Sequence, residues 1–265
     1  MLLERNLLPW SPADIFIFHE ADLDESMLSP HAVFKRLDVK FAEVDFSSVP
    51  YGTESLTRGQ RGYRHMCHFF ANDVFLRNEL SSYEYYMRLD VDSFILSKIS
   101  FNIFDAMRSR NLKYAYRMIM TENARVAEGL LETAKAFFST NRDIAVSHPY
   151  IRKAKLYYTN FEICDLKFFR SDPWQRYFAA IDSAGGIWRT RWGDAPIRWL
   201  GLQYLLRKNE IWFFRGMTYH HQFLLHKGFG FRFPIEYAKC VISALIRIFK
   251  LKIPKRHCGV CATVS

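Results

Sequence analysis

Much is missing from this chain, and each absence narrows the reading. Only five cysteines occur in 265 residues, an odd number and too few for a disulfide scaffold. Two of them, Cys258 and Cys261, form Cys-Gly-Val-Cys beside His257, but no second ligand pair stands nearby to complete a structural zinc site. The pair reads as a tail feature, with acylation as one use. No secretory leader is visible, because "MLLERNLLPW" carries Glu4 and Arg5 and no long apolar run. The longest apolar stretch, "CVISALIRIFKLKIPK", is too short to cross a bilayer, and Arg247 interrupts it. There is no internal repeat and no low-complexity segment. No helix-turn-helix, zinc-finger or RNA-binding signature occurs, which argues against a nucleic-acid partner although formal net charge is +10.

What remains suits one sizeable α/β domain. Hydrophobic residues make up 49% and aromatic residues 17%, enough for a packed core, and the 24% charged content is ordinary. The domain is placed at 1–232, and a basic amphipathic helix with a cysteine-containing tail at 233–265. Segment 236–256 reads as a helix lying on a membrane surface or docked on the domain.

Strand signals fall at 13–20 ("ADIFIFHE"), 37–46, 83–91 ("YEYYMRLDV"), 113–120, 159–169 ("TNFEICDLKFF") and 210–214. Helix signals fall at 57–80, where Met66, Phe69, Phe70 and Val74 recur at helical spacing, and at 124–141. A third helix is expected at 193–208, with Asp194 as N-cap and Pro196 in the first turn. Strands alternating with helices predict a mixed, mostly parallel sheet flanked by helices. Such sheets bind ligands at the carboxyl ends of their strands.

Asp90 and Asp92 sit at such an end. Residues two apart in a strand point to the same side, so both carboxylates can face one divalent cation, which would offset their repulsion. The plain alternative is a solvated strand end. Glu162, in Asn160-Phe161-Glu162, is a carboxylate suited to act as nucleophile or base, or simply a strand-surface residue. "AGGIWRTRWGDAP" (184–196) offers Arg189 and Arg191 to phosphate, two tryptophans as stacking or core groups, and Asp194 as a cap or a ligand contact. "TYHHQ" (218–222) can add an imidazole to the same metal. Tyr63, Arg64 and His65 form a polar set on the 57–80 helix that can face phosphate or solvent.

In order along the chain, "GYRHMCHF", "YEYYMRLDVD", "NFEICDLKFFR", "AGGIWRTRWGDAP" and "WFFRGMTYHH" resemble the fungal α-1,2-mannosyltransferase family, the glycolipid 2-α-mannosyltransferases. The resemblance covers roughly residues 60 to 222, and the third and fourth blocks are its specific part. It implies a GT-A fold and transfer of mannose from GDP-mannose to a glycan hydroxyl, with retention and with Mn²⁺ or Mg²⁺. It further implies a Golgi setting. By position it assigns metal and diphosphate binding to Asp90 and His221, with Asp92 added by its proximity, and the nucleophile or transition-state stabiliser to Glu162. Tyr63, Arg64, Asn160, Arg191 and Asp194 fall where donor contacts are expected. The chain has Met87 where the family has Trp, and Asp90-Val91 where it has Glu-Pro. Asp is one methylene shorter than Glu, which gives Asp92 a larger part in metal binding. The family's anchor, stem and first strand have no counterpart, and "LLERNLLPW" resembles the helix that follows that strand. A transferase using another nucleotide sugar, or an inactive membrane-surface or glycan-binding relative, are the competing readings.

Overall fold

The computed structural model describes residues 2–21, 39–222, 224–226 and 228, and the backbone of 259–264. The expected helix at 236–256 lies outside the described residues.

A seven-stranded sheet forms the centre, in the order β2-β1-β12-β3-β8-β5-β9. Its strands are β1 (Asp14–His19), β2 (Val39–Glu43), β3 (Tyr85–Asp90), β5 (Tyr114–Tyr116), β8 (Phe161–Asp165), β9 (Ile211–Phe213) and β12 (Gly259–Val264). The sheet is mixed, and the mostly parallel expectation needs correction at the level of pairing. β8 and β12 run against the other strands, so each pair that contains either is antiparallel. Only the outer pairs β1–β2 and β5–β9 are parallel. β12 was not expected as a strand. It lies between β1 and β3, antiparallel to both, and joins the two halves of the sheet.

Side chains leave the central strands alternately to two faces. Tyr86, Tyr114 and Cys164 enter one apolar core, and Tyr85, Met87, Ala115, Phe161 and Ile163 enter the other. The first core packs against α2 (Arg58–His68), α4 (Leu130–Thr140), α5 (Asp172–Ser183) and α6 (Asp194–Leu205). The second packs against α1 (Leu2–Asn6) and α3 (Ile103–Ser109). β3 is therefore covered on both sides, which explains why Tyr85, Tyr86, Met87 and Leu89 are all large, apolar and buried.

Local chemistry sets the element ends. Thr57 and Gln60 form a reciprocal capping box that starts α2. The helix then widens into a π-helical turn over Phe69–Asp73 before a last turn at Val74–Leu76. α4 begins at Leu130 rather than 124, because Gly129 adopts a left-handed φ of 78° that a right-handed helix cannot continue through. The strand expected across 159–169 stops at Asp165, whose carboxylate caps a helical turn by accepting from the Phe168 amide at 3.2 Å. The segment 113–120 divides into β5 and β6 (Ile119–Thr121), and β6 pairs with β7 (Lys155–Tyr157) in a small ribbon. A three-stranded sheet places β4 (Ser93–Ile95) beside β10 (Tyr219–His221), which is followed by β11 (Leu224–His226).

Candidate active site

A cavity of about 540 Å³ opens at the carboxyl end of β3. Asp90 and Asp92 both line it. The strand-parity argument holds only for Asp90, since β3 ends there and Asp92 lies in the turn to β4. The turn, not strand alternation, brings the second carboxylate round. β10 then delivers His221, because His221 is register partner to Ser93 at the start of β4. His221 Nε2 lies 2.9 Å from Asp92 Oδ1 and 4.0 Å from Asp90 Oδ2. One ligand atom from each residue falls within 4.8 Å of the others. Two carboxylates and an imidazole are donors that Mn²⁺ or Mg²⁺ accepts. Burial pushes the Asp92 carboxyl up, but the hydrogen bond and charge of His221 outweigh it and hold it below its ordinary value.

Arg88 is the central group that the sequence reading missed. It sits on β3 with 3% exposure and lines the cavity. Its Nε donates to Asp90 Oδ1 and its Nη1 to Asp194 Oδ2, each at 2.8 Å. Its guanidinium lies 3.8 Å from the centre of the Phe70 ring. Burial disfavours its charge, but Asp90 and Asp194 prevail and keep it firmly cationic. A charge inside an apolar strand needs such partners, and that was the signal available in "YYMRLD".

Asp194 is not the helix cap. Gly193 holds the N-cap position of α6, and the Asp194 carboxylate accepts from Arg88 and, at 2.7 Å, from the Thr159 hydroxyl. It is 6% exposed and lines the cavity. Asn160 lines it too. Its carbonyl accepts from the Asp90 amide at 3.2 Å, while neither polar atom of its buried side chain has a hydrogen bond. Tyr63 lines the opposite wall, and the exposed Arg191 places its guanidinium 4.4 Å from that ring. Arg191 holds φ 75°, a left-handed conformation costing a non-glycine residue about 1–2 kcal/mol.

Three expected residues do not line the cavity: Arg191, which lies beside Tyr63, and also Arg64 and Glu162. Arg64 is turned toward the 184–190 segment, with Nε donating to the Trp188 carbonyl and Nη1 to the Gln60 carbonyl. Glu162 has no exposed surface and does not line the cavity. It is held from beneath by Arg198, whose Nε is 3.2 Å from Oε2, and by the Tyr114 hydroxyl at 2.8 Å. Burial pushes its carboxyl up against the pull of Arg198 and Arg88. Arg189 donates to the Ala184 carbonyl, Trp192 is core, and Trp188 stacks on His68.

The sequence profile of the glycolipid 2-alpha-mannosyltransferase family matches residues 51–229. The chain belongs to that family. Among curated relatives, the probable mannosyltransferase KTR3 of Saccharomyces cerevisiae is 32% identical over 197 residues, covering 71% of this chain and 47% of the relative. Glycolipid 2-alpha-mannosyltransferase 1 of Candida albicans is 31% identical over 169 residues, covering 60% and 39%. The chain thus spans less than half the length of these mannosyltransferases. Solved structures agree on the fold. The mannosyltransferase Ktr4p of S. cerevisiae superposes with a TM-score of 0.76 at 22% identity, covering 86% of this chain and 66% of that one. Core-mannan synthase A of Aspergillus fumigatus, in its Mn/GDP form, gives 0.74 at 19% identity, covering 89% and 76%. The expected GT-A fold is the fold observed. Among the described residues, no helix of this family member is long and apolar enough to cross a membrane.

Proposed function

We propose that this chain transfers mannose from GDP-mannose to a glycan hydroxyl, with retention and with Mn²⁺ or Mg²⁺ held by Asp90, Asp92 and His221. The convergence of those three residues at the end of the central strand carries the reading. The names of the mannosyltransferase relatives and the Mn/GDP form of one structural neighbour support it. The cation, when bound, offsets the charge of the leaving diphosphate.

The chain's own residues supply the rest. Arg88 lies between Asp90 and Asp194 and pairs with both carboxylates. The open amide of Asn160 offers a donor and an acceptor to the nucleotide sugar. Tyr63 gives an aromatic wall, and Arg191, exposed above it, is within reach of a diphosphate oxygen. Asp194 lines the cavity and, unlike Asp90 and Asp92, stands outside the metal set, so we assign to it the stabilisation of positive charge at the anomeric carbon. Glu162 is assigned a supporting role from beneath the cavity floor.

The test is GDP release from a panel of nucleotide sugars, with and without Mn²⁺, using a glycan acceptor. Release from GDP-mannose alone, and only with the cation, is expected. Asp194→Asn should lower kcat at least about 100-fold, and Glu162→Gln should lower stability more than kcat. A folded chain with neither turnover nor metal-dependent GDP binding would overturn the proposal.

A further inference from the structure

Three consecutive residues touch Asp90, Asp194 and His221. Asn160 receives the Asp90 amide through its carbonyl, Thr159 donates to Asp194, and the Tyr158 hydroxyl lies 2.8 Å from His221 Nδ1. Tyr158 follows β7 and lines the cavity half-buried. Its ring meets the His221 ring edge to face, with centres 5.3 Å apart at 76°.

His221 is therefore held at both ring nitrogens. Nε2 faces the two carboxylates and Nδ1 faces the phenol. An imidazole binds a cation through a lone pair on one nitrogen, and the hydrogen bond made by the other nitrogen decides which one is available. A phenol hydroxyl suits this place because it both donates and accepts. It can accept from Nδ1–H when Nε2 holds a cation, and turn its own hydrogen elsewhere. A phenol is neutral at neutral pH. It therefore adds no charge to the ligand set.

We infer that Tyr158 is a positioning residue for metal capture: its hydroxyl occupies His221 Nδ1 and so directs the cation to Nε2. The inference rests on the metal reading proposed above. Nothing else on the ring's Nδ1 side does this among the described residues, because the phenol oxygen is the one hydrogen-bond partner of Nδ1 there. Thr159 and Asn160 keep their own partners, so losing the hydroxyl removes one contact from the strut and leaves the others in place.

Tyr158→Phe removes that single oxygen and keeps the ring. Mn²⁺ affinity of the full chain, measured by electron paramagnetic resonance of free Mn²⁺ with and without GDP, should fall about 10- to 100-fold. The unfolding midpoint without metal should stay near the parent's, which a merely structural tyrosine would not allow. In ¹⁵N-histidine spectra of the Mg²⁺-loaded parent, His221 should carry its hydrogen on Nδ1, and in the variant that preference should weaken. Affinity within about two-fold of the parent overturns the inference, as does a parent His221 whose Nδ1 bears no hydrogen when loaded. If the parent itself binds no Mn²⁺ in either condition, the metal reading falls and takes this inference with it.

Discussion

Arg198 provides the sharpest test of how the floor of the site is built. It is fully buried on α6. Its guanidinium donates to both Glu162 oxygens, at 3.2 and 3.4 Å, to the Ala71 carbonyl at 3.2 Å and to the Phe70 carbonyl. It lies 4.5 Å from the Phe75 ring centre, 4.7 Å from Phe169 and 5.4 Å from Trp174. Arg198→Met keeps the apolar stem among those rings and removes the cation. Glu162 would then be a buried carboxyl with Tyr114 as its remaining donor, a loss of about 3–5 kcal/mol. The two stranded carbonyls add about 1 kcal/mol each. Against a typical total of about 5–15 kcal/mol, the variant should be marginal. Glu162→Gln keeps the shape and an acceptor, so it should cost less, about 1–3 kcal/mol. In the double variant no lone charge remains, so its cost should fall short of the sum by about 2–3 kcal/mol. Urea unfolding read by tryptophan fluorescence measures all three, with Trp174 as a local reporter. Costs that simply add, within about 0.5 kcal/mol, would refute the view that the two residues form one ionic unit.

Other outcomes follow from the same geometry. His68 Nδ1 lies 2.8 Å from Asp73 and Nε2 lies 3.1 Å from Asp182. Burial draws its pKa down, but the two carboxylates prevail and raise it to about 9. A raised value means that its stabilisation is full below about pH 6.5 and is lost as pH climbs through 9. Because both carboxylates are partly exposed, the loss should be about 1–3 kcal/mol, seen as a falling thermal midpoint that is flatter in His68→Gln. Gly186→Ala would put a methyl group 2.2 Å from the Trp192 indole, so unfolding should be easier by about 1–3 kcal/mol in a denaturant titration. Asp92→Asn should weaken Mn²⁺ binding in a calorimetric titration, and chelation of the parent should abolish donor turnover until Mn²⁺ is restored.

The strands were legible because apolar runs with β-branched and aromatic residues are local signals, and β1, β3 and β9 fell where they were expected. The cluster of Asp90, Asp92 and His221 was legible as residue types in order along the chain. Its geometry was not, because Asp92 depends on a turn and His221 on pairing between β10 and β4. Asp194 was read as a cap or a ligand contact, since Gly-Asp-Ala-Pro looks like a helix start from either residue, and Arg88, distant in sequence, decides where the carboxylate points. Glu162 was read as a nucleophile or base, or as a strand-surface residue, and it is fully buried. Its partner Arg198 lies in the same helix as Asp194 and had been given no role. β12 was not legible in "CGVCATV", whose two cysteines read as a tail feature, and strand order across a sheet is a long-range property that no window of sequence holds.

The π-helical turn over Phe69–Asp73 has a consequence for how this protein tolerates insertion and deletion. A π turn stores one residue more than an α turn of the same span. Here the stored residue leaves the Phe70 and Ala71 carbonyls pointing at Arg198, while the Phe70 ring lies against Arg88. Shortening the chain by one residue in this turn would give a more regular helix and a poorer site. The carbonyls would return to the helix ladder, and the Phe70 face would rotate by about 100° away from the cavity. The regular helix is the form that propensity favours, and the irregular one is what lets both buried arginines find their partners.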